Sequence, residues 1–323
     1  MRRRHLPPAL ACGRLRVPGR AIALAVLVST ALAPAAAGAQ RSSATTDALQ
    51  AELRERAAAQ PGVTVGVYYR HLGTGESLAW NADTMFHAAS TMKVPVMLEY
   101  FRALDDGRLG RDQRVTVVNR FASIVDGSPY TLDAGDDSDS ALYRLVGREV
   151  PVRELVERMI TRSSNLATNV VISLVGAPRA QATARALGAS TINVRRGVED
   201  NLAFRAGLNN TTSARDLGAL FEAIARGQAA SPPSTAEMLA ILERQEFNDE
   251  IPAGLPPGTR VAHKTGWITA TLHDAAVVFP PQGDPFVLVV LTRGLPDEKT
   301  GQRLIQDIAR AVWRHATSAA SPH

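Results

Sequence analysis

The chain has 323 residues, of which 45% are hydrophobic, and its 36 basic and 31 acidic residues give a formal charge of +5. A chain of this size can bury a substantial core, as one large domain or as two lobes. The seven histidines show no HExxH or comparable ligand spacing. We therefore expect no metal ion and no cofactor.

The first 39 residues have the pattern of a secretory signal peptide. Arginines precede an apolar run from Ala21 to Leu32, and small residues follow as far as Ala37-Gly38-Ala39. A positive segment, a short apolar segment and an A-x-A site are typical of a cleaved leader. The run is too short to span a membrane comfortably. We predict a periplasmic or secreted protein with no stable membrane insertion after cleavage, and an uncleaved N-terminal anchor is the alternative.

Removal of this leader changes the charge and the cysteine content. Residues 1–39 contain six arginines and no acidic residue, so residues 40–323 have a formal charge of −1 instead of +5. A nearly neutral protein gives no electrostatic reason to expect nucleic acid or a membrane surface as a partner. The only cysteine, Cys12, lies in the leader, so we expect no disulfide and no thiol chemistry in the exported protein.

The first elements after the leader are a helix and a hairpin. The spacing of apolar residues predicts a helix over Thr45–Ala59, which Pro61-Gly62 stops. Extended segments follow at Val63–Tyr69 and Glu76–Trp80, and a turn-forming link from His71 to Gly75 joins them.

The middle of the chain, from about residue 88 to 230, is mostly helical by periodicity. The predicted helices are Val152–Ile160, Ser164–Val175, Pro178–Leu187 and Ala214–Ala225. The segment Asp126–Ser140, rich in Asp, Ser, Gly and Pro, interrupts this pattern. We interpret it as a solvated loop with an acidic surface, because it lacks the spacing of an EF-hand calcium loop.

The last third of the chain returns to strands. Arg260–Lys264, Asp274–Phe279 and Phe286–Thr292 are predicted strands, and a helix over Thr300–Ala316 follows. Strands at both ends of the chain with helices between them predict an α+β fold (an α/β sandwich): an antiparallel sheet flanked by helices from both chain ends, with an inserted all-helical lobe. We place an α/β lobe at about 40–87 and 212–323, the helical lobe at about 88–211, and the active site in the cleft between them.

Lysine is rare here, and its positions are informative. The chain has 33 arginines, and its lysines are Lys93, Lys264 and Lys299. A buried lysine can release its proton, whereas arginine cannot. In Ser90-Thr91-Met92-Lys93, a helix starting at the serine would put Ser90 and Lys93 on one face. A serine hydroxyl needs an adjacent base to become a strong nucleophile; the alternative is an ordinary capping serine.

Two more motifs carry residue types suited to binding and proton transfer. Lys264-Thr265-Gly266 ends a predicted strand, where a backbone edge and a glycine would let an extended substrate approach. Its lysine and threonine would hold a carboxylate, and a basic strand end with a glycine bulge is the alternative. Ser163-Ser164-Asn165 precedes a predicted helix. Its hydroxyl and amide would relay a proton and hold an amide, or would simply cap the helix.

The order SxxK, S-x-N and KTG resembles the signature of class A β-lactamases and penicillin-binding proteins. The resemblance covers nearly the whole chain after the leader, including the strand–helix–strand order. Three other segments are similar to the family: Thr168-Asn169, Asn210-Thr211-Thr212, and residues 273–278 leading to 291–294.

The resemblance implies catalytic roles for four residues. Ser90 would be the acylated nucleophile, and Lys93 would be its partner in a proton network. Ser163 would pass a proton to the leaving nitrogen. Glu199, which lies 36 residues after Ser163, would be the general base that activates water for deacylation. The alternative for Glu199 is a loop glutamate in a surface ion pair.

The resemblance also implies which residues bind the substrate. Asn165 would hold the substrate's side-chain amide, and Lys264 and Thr265 would bind its carboxylate. Gly266 leads to Trp267, whose backbone N–H would form the oxyanion hole together with that of the nucleophile.

Several residues depart from the family pattern. Ser164 replaces the usual aspartate of S-x-N, and Asn201 follows Glu199 by two residues instead of four. The bulk of Trp267 would narrow the pocket. The inserted segment Asp126–Ser140 would lie at the rim of the site. Tyr130 or Tyr143 would stack on a ligand at this rim. Arg293 would add positive charge for the substrate carboxylate.

The prediction from sequence is a monomeric serine β-lactamase-like hydrolase that opens β-lactam amides and confers antibiotic resistance. Two alternatives stay open. One is a penicillin-binding enzyme of the DD-peptidase type, which a dispensable Glu199 would favour. The other is a β-lactam-binding sensor that is acylated without turnover, although no signalling domain is evident in the sequence.

Overall fold

The computed structural model describes residues 34–318, with side chains from Thr46 onward. The chain divides into two compact units, residues 1–40 and residues 41–323. In the first unit, residues 34–40 are helical. The apolar run of the predicted leader, Ala21–Leu32, lies outside the described residues. In the described part, no helix combines the length and apolar character needed to cross a membrane.

The described residues follow the predicted order of helices and strands. In chain order the helices are α1 (Pro34–Ala58), α2 (Lys93–Asp105), α3 (Val152–Thr161), α4 (Asn165–Val175), α5 (Ala177–Ala186), α6 (Asn201–Arg205), α7 (Ala214–Ala225), α8 (Pro232–Glu243) and α9 (Glu298–Ser318). The strands are β1 (Thr64–His71), β2 (Ser77–Trp80), β3 (Phe86–His87), β4 (Arg114–Thr116), β5 (Phe121–Ala122), β6 (Pro129–Tyr130), β7 (Glu149–Pro151), β8 (Thr211–Thr212), β9 (Arg260–Ile268), β10 (Thr271–Phe279) and β11 (Phe286–Arg293).

The main sheet joins the two ends of the chain. Its five strands lie in the order β2-β1-β11-β10-β9, and every neighbouring pair is antiparallel. Thr64 of β1 pairs with Arg293 of β11, which brings the strands before and after the helical block together. The remaining strands form two-stranded pairs, β3 with β8, β4 with β7 and β5 with β6. The predicted α+β fold, with helices inserted between paired terminal strands, is confirmed.

Burial on both faces explains the continuous apolar sequence of β11. Alternate side chains of a strand point to opposite faces of a sheet. Val287, Val289 and Leu291 belong to the core that includes α2 and α7. The intervening Leu288 and Val290 belong to the core that includes α9. The sheet therefore has a helical layer on each face, and the layer with α2 carries the site.

The boundaries differ from the sequence expectation in two informative places. Strand β9 continues to Ile268, because each residue from Arg260 to Ile268 pairs with β10. The sequence predicted that the motif Lys264-Thr265-Gly266 ends a strand. In the structure the motif lies inside the strand. The acidic segment Asp126–Ser140 is also not simply a solvated loop, since Asp137 and Asp139 are buried.

Candidate active site

The chain turns sharply at Ser90. Ala89–Met92 form a 3₁₀ turn that continues directly into α2, and Lys93 is the first residue of that helix. Ala89 has a φ of +45°, a conformation that costs energy for a residue with a side chain. This strained turn presents Ser90 at the N-terminal end of α2, where the helix dipole favours negative charge.

Strand β9 passes very close to the Ser90 backbone. A Cβ atom added to Gly266 would lie 3.1 Å from the backbone nitrogen of Ser90 and 3.2 Å from the Cβ of Ala89. Only a glycine fits such an approach without displacing its neighbours. Trp267 follows, with its side chain 60% exposed at the mouth of the site.

The hydroxyl of Ser163 lies between two buried lysines. Lys93 Nζ donates to Ser163 Oγ at 3.1 Å, and Lys264 Nζ donates to the same oxygen at 3.2 Å. Lys93 also donates to the carbonyl oxygen of Ser163 at 2.5 Å. Among the described residues no hydrogen bond joins Lys93 to Ser90, although the sequence predicted that they would be close. The hydroxyl of Ser163 accepts from two ammonium groups, which leaves its own proton free to be donated elsewhere.

Burial and mutual repulsion make both lysines weaker bases than usual. Complete burial, and next the charge of Lys264, lower the pKa of Lys93 well below its usual value. Burial lowers the pKa of Lys264 to about 7, against the opposing effect of the Asp274 carboxylate. Lys264 can therefore exchange its proton near neutral pH, which free lysine cannot do, and Lys93 holds its proton less tightly than free lysine does.

The amide of Asn165 connects Lys93 to Glu199. Asn165 Oδ1 accepts from Lys93 Nζ at 2.9 Å, and Asn165 Nδ2 donates to Glu199 Oε1 at 2.6 Å. Glu199 is half-buried and makes no ion pair among the described residues, whereas the alternative expects a surface ion pair. Burial raises the pKa of Glu199, and nearby acidic side chains such as Asp137 act in the same direction.

The loop that carries Glu199 is fixed at the residue before it. Asn169 Oδ1 accepts from the N–H of Val198 at 2.7 Å, and Asn169 Nδ2 donates to the carbonyl of Val198 at 3.0 Å. Asn210 closes the base of the loop by pairing with both backbone groups of Arg196. Glu199 itself has a φ of +60°. The loop is thus held in a strained conformation by side-chain amides.

The residues after Glu199 do not supply a second amide to it. Asp200 caps α6 by accepting from the N–H of Ala203, and it accepts from Ser123 Oγ at 2.9 Å. Asn201 is exposed and makes no hydrogen bond to Glu199 within the described part of the chain. The amide that contacts Glu199 is Asn165.

Backbone strain is concentrated around these residues. Within residues 34–318, five non-glycine residues have positive φ, and three of them are Ala89, Ser163 and Glu199. Such conformations cost about 1–3 kcal/mol each and persist where the surrounding contacts impose them. The strain lies at the candidate nucleophile, the hydroxyl between the lysines and the candidate base.

A carboxylate from the inserted segment caps the helix that carries Asn165. Asp137 is buried, and its Oδ2 accepts from the N–H of Leu166 at 2.8 Å and from the hydroxyl of Tyr143 at 3.2 Å. Ser164 Oγ lies 3.5 Å from the same oxygen. Asp137 therefore places a negative charge beside Ser164, where the family pattern has an aspartate. Sequence reasoning missed this role of Asp137. The serine at position 164, where the family has an aspartate, was the one signal that another carboxylate could take that place.

Two adjoining cavities open on either side of Ser90, Asn165 and Trp267. One, which we term the Glu250 side, has a volume of about 390 Å³. Its lining includes the polar and acidic residues Asp136, Asp137, Ser163, Glu250, Thr265 and Glu298. The other, the Glu199 side, includes His87, Arg196, Glu199, Asp200, Asn201 and Phe204. Sequence reasoning did not identify Glu250 or Glu298, since no motif marks them.

The three residues predicted to make peripheral ligand contacts have partners within the protein. The Tyr130 hydroxyl contacts Asn169 and Val198 behind the Glu199 loop, and Tyr143 contacts Asp137. The Arg293 guanidinium lies over the ring of Phe86. None of these three candidates lines either cavity. In the described part of the chain, no group of three His, Cys, Asp or Glu residues is placed to hold a metal ion.

Comparisons with known proteins identify the family and the fold. Residues 47–316 match the model of the β-lactamase enzyme family. A β-lactamase from Streptomyces fradiae is 30% identical over 304 residues, covering 91% of this chain and 96% of that protein. The solved structure of PBP-A is 31% identical with a TM-score of 0.71, covering 82% of this chain and 94% of that one. An ancestral (GNCA) class A β-lactamase is 25% identical with a TM-score of 0.70, covering 84% of this chain and 99% of that one. The chain belongs to the β-lactamase enzyme family, and it is a hydrolase with the class A fold.

Proposed function

We propose that this protein hydrolyses β-lactams through an acyl-enzyme on Ser90. Ser90 Oγ attacks the lactam carbonyl carbon and gives its proton to the network that contains Lys93. The backbone N–H groups of Ser90 and Trp267 stabilise the negative oxygen that forms. The C–N bond then breaks, and the hydroxyl of Ser163 gives its proton to the departing nitrogen and regains one from a neighbouring lysine.

Substrate binding uses the remaining motif residues. Thr265 and Lys264 hold the substrate carboxylate, with Gly266 allowing the backbone of β9 to approach it. Asn165 faces both cavities and contacts the substrate's side-chain amide, although its own amide already joins Lys93 to Glu199. The exposed ring of Trp267 narrows the mouth of the site.

Deacylation is assigned to Glu199. A water molecule attacks the ester carbon while Glu199 takes its proton, and the proton then returns to Ser90 Oγ as the ester bond breaks. A raised pKa suits a carboxylate that has to act as a base near neutral pH. The hydrogen bond between Asn165 and Glu199 carries this proposal, since it keeps the carboxylate at the cavity that also contains Ser90.

The test is hydrolysis of a chromogenic cephalosporin by residues 40–323 beside the variants Ser90→Ala and Glu199→Gln. We expect sustained turnover in the unchanged protein and none with Ser90→Ala. With Glu199→Gln we expect a single burst, and intact-mass spectrometry should show one acyl group per chain. Turnover that survives Glu199→Gln would refute its role as the base.

A second function, peptidase-like acylation with slow release, is favoured by two observations. PBP-A has the same fold at 31% identity, and a variant of PBP-A has been solved as an acyl-enzyme complex with penicillin G. Within the described chain, Asn201 gives Glu199 no second amide contact for holding water. A burst without turnover in the unchanged protein would select this function.

We also propose the organisation and location of the protein. Residues 1–39 act as a signal peptide, so the enzyme is periplasmic or secreted, where it meets β-lactams and confers resistance. An α/β lobe at about 40–87 and 212–323 and a helical lobe at about 88–211 enclose the site, and the enzyme acts as a monomer. N-terminal sequencing of the exported protein tests the cleavage after Ala39.

A further inference from the structure

Glu250 is a buried acid without a hydrogen bond. It is only 4% exposed, and it lies between α8 and the 3₁₀ turn Pro252–Gly254. Its Oε2 is fully buried and has no partner, and no hydrogen bond to its other oxygen is formed within the described residues. An unsatisfied buried polar atom costs about 1–3 kcal/mol. Glu250 nevertheless lines the cavity next to Ser90 and Thr265, so a ligand in this cavity can contact the residue.

The charge around this carboxyl is negative. The Glu250 side is lined by Asp136, Asp137, Glu250 and Glu298, and none of its lining residues in the described chain is basic. Asp137 is already occupied by the N–H of Leu166. Lys264, the nearby cation, is turned towards Ser163 and the carbonyl of Thr265. A cation entering this cavity would therefore meet acidic side chains and no basic side chain among the described lining residues.

We propose that Glu250, together with Glu298 at the mouth, forms a subsite for a positively charged group of the substrate, next to the position of the substrate carboxylate. The inference rests on the proposed function and narrows its substrate class to β-lactams with a cationic nitrogen near the carboxylate. Glu250 binds that nitrogen, and the exposed Glu298 attracts it.

The subsite is compatible with carboxylate binding at Thr265. Both Thr265 and Glu250 line the same cavity. In a cephalosporin, the substituent on the carbon beside the carboxylate-bearing carbon projects from the same edge of the ring. A carboxylate at Thr265 therefore leaves that substituent in the cavity that Glu250 also lines. A zwitterionic edge matches a cavity whose lining combines carboxyl groups with Ser163 and Thr265, the two lining residues that the buried Lys264 contacts.

The protonation of Glu250 supports this reading. Burial, and next the charge of Asp274, raise its pKa to about 8. The charged groups that act on it are Asp249 beside it in the chain, Asp274 on β10, Glu298 on α9 and Lys264 on β9. Free Glu250 is thus largely neutral at pH 7, and a bound cation would favour its ionised form. Preference for a cationic substrate should accordingly increase with pH.

The test uses two cephalosporins that share one acyl side chain and differ at the 3-position, one carrying a neutral acetoxymethyl group and the other a pyridinium-methyl group. Calorimetry on Ser90→Ala measures binding of each without turnover, and hydrolysis by the unchanged protein measures kcat/KM. We expect Ser90→Ala to bind the pyridinium compound more tightly. Adding Glu250→Gln, which keeps the shape of the side chain, should reduce this preference about tenfold.

Control variants separate a local contact from general charge. Asp249→Asn removes a charge one residue away, on an exposed side chain that does not line the cavity, and should leave the preference within about twofold, as expected for a screened charge. Glu298→Gln should reduce it about threefold, because an exposed pair is weaker. In the unchanged protein, the preference for the pyridinium compound should increase between about pH 6 and pH 9. In Glu250→Gln it should not change with pH.

The outcomes are distinct from those of the proposed function. An equal preference with and without Glu250, or failure of Ser90→Ala to bind either compound, would overturn the subsite. If the subsite is overturned in this way but the unchanged protein hydrolyses both compounds, the β-lactamase proposal remains intact. Selective binding of the pyridinium compound without any turnover would support the subsite and refute the hydrolase mechanism.

Discussion

We predict that Asp137 positions the whole Ser163–Asn165 turn. When Asp137 is removed, a carboxylate introduced at residue 164 should restore the lost stability and activity. Asp137→Ala leaves the N–H of Leu166 buried without its acceptor at 2.8 Å. Loss of a helix N-terminal acceptor costs about 0.5–2 kcal/mol, and loss of a hydrogen bond to a charged group about 1.5–3 kcal/mol. We expect the free energy of unfolding to fall by about 2 kcal/mol, which corresponds to about 3 °C in Tm for a chain of this length.

The same change should affect catalysis. Ser163 and Asn165 flank the turn that Asp137 holds, and displacements well below 1 Å at reacting groups are costly. We expect kcat/KM for a chromogenic cephalosporin to fall about tenfold or more. Ser164→Asp alone brings a second carboxylate close to Asp137 and should lower stability. In the double variant, the new side chain can accept from the helix N-terminus, so both Tm and kcat/KM should recover.

The control is Asp126→Ala, which removes an exposed acid of the same segment that bonds only its neighbour Ser128. Differential scanning calorimetry and steady-state kinetics on the four variants give the complete comparison. A Tm for Asp137→Ala equal to that of Asp126→Ala would refute the cap. Failure of Ser164→Asp to restore activity would show that Asp137 acts in some way other than through the turn.

Three further predictions concern other parts of the site. Gly266→Ala should slow acylation about tenfold or more in a stopped-flow burst, because its Cβ would lie 3.1 Å from the Ser90 nitrogen in the oxyanion hole. For an anionic substrate, kcat/KM should fall as the pH rises above about 7, because Lys264 loses its proton there. Asn169→Ala frees the Val198 peptide and should slow deacylation more than acylation, so that acyl-enzyme accumulates in intact-mass spectra.

Each of these has a matched comparison. Gly110→Ala adds a Cβ whose nearest neighbouring atom is 3.9 Å away. This variant should leave the acylation rate in the burst assay unchanged. The alkaline loss should be absent for a substrate without a carboxylate, and its persistence there would show that it does not arise from carboxylate binding by Lys264. For Asn169→Ala, equal slowing of both steps would indicate general damage to the fold instead of a loosened loop.

The fold could be predicted because its signals are local. Alternating and continuous apolar runs marked the strands, and three- and four-residue spacing marked the helices, so most boundaries agree within a few residues. Strand β9 was predicted to end at the polar Lys264, before the polar Thr265 and Gly266, but it continues to Ile268. In the structure those polar side chains are buried beside other polar groups, which a hydrophobicity pattern does not register.

The motif residues of the site could also be located in advance, but their contacts could not. SxxK, S-x-N and KTG indicated the right segments, and the structure brings Ser90, Lys93, Ser163 and Lys264 together. Asp137 and Glu250 were missed because their roles depend on which helix end or cavity a distant loop reaches. That information lies in the tertiary packing and not in any local pattern of residues.

The burial of two of the three lysines determines how this protein reacts with amine-directed reagents. Lys93 and Lys264 are 0% exposed, whereas Lys299 is exposed near the start of α9. Succinimidyl esters should therefore modify Lys299 and the N-terminal amine and leave the site lysines untouched. The chain after the predicted leader has no cysteine, so thiol-directed labelling is not an option there. Lys299 instead offers an attachment point for a dye or a surface, just after Glu298 at the mouth of the cavity.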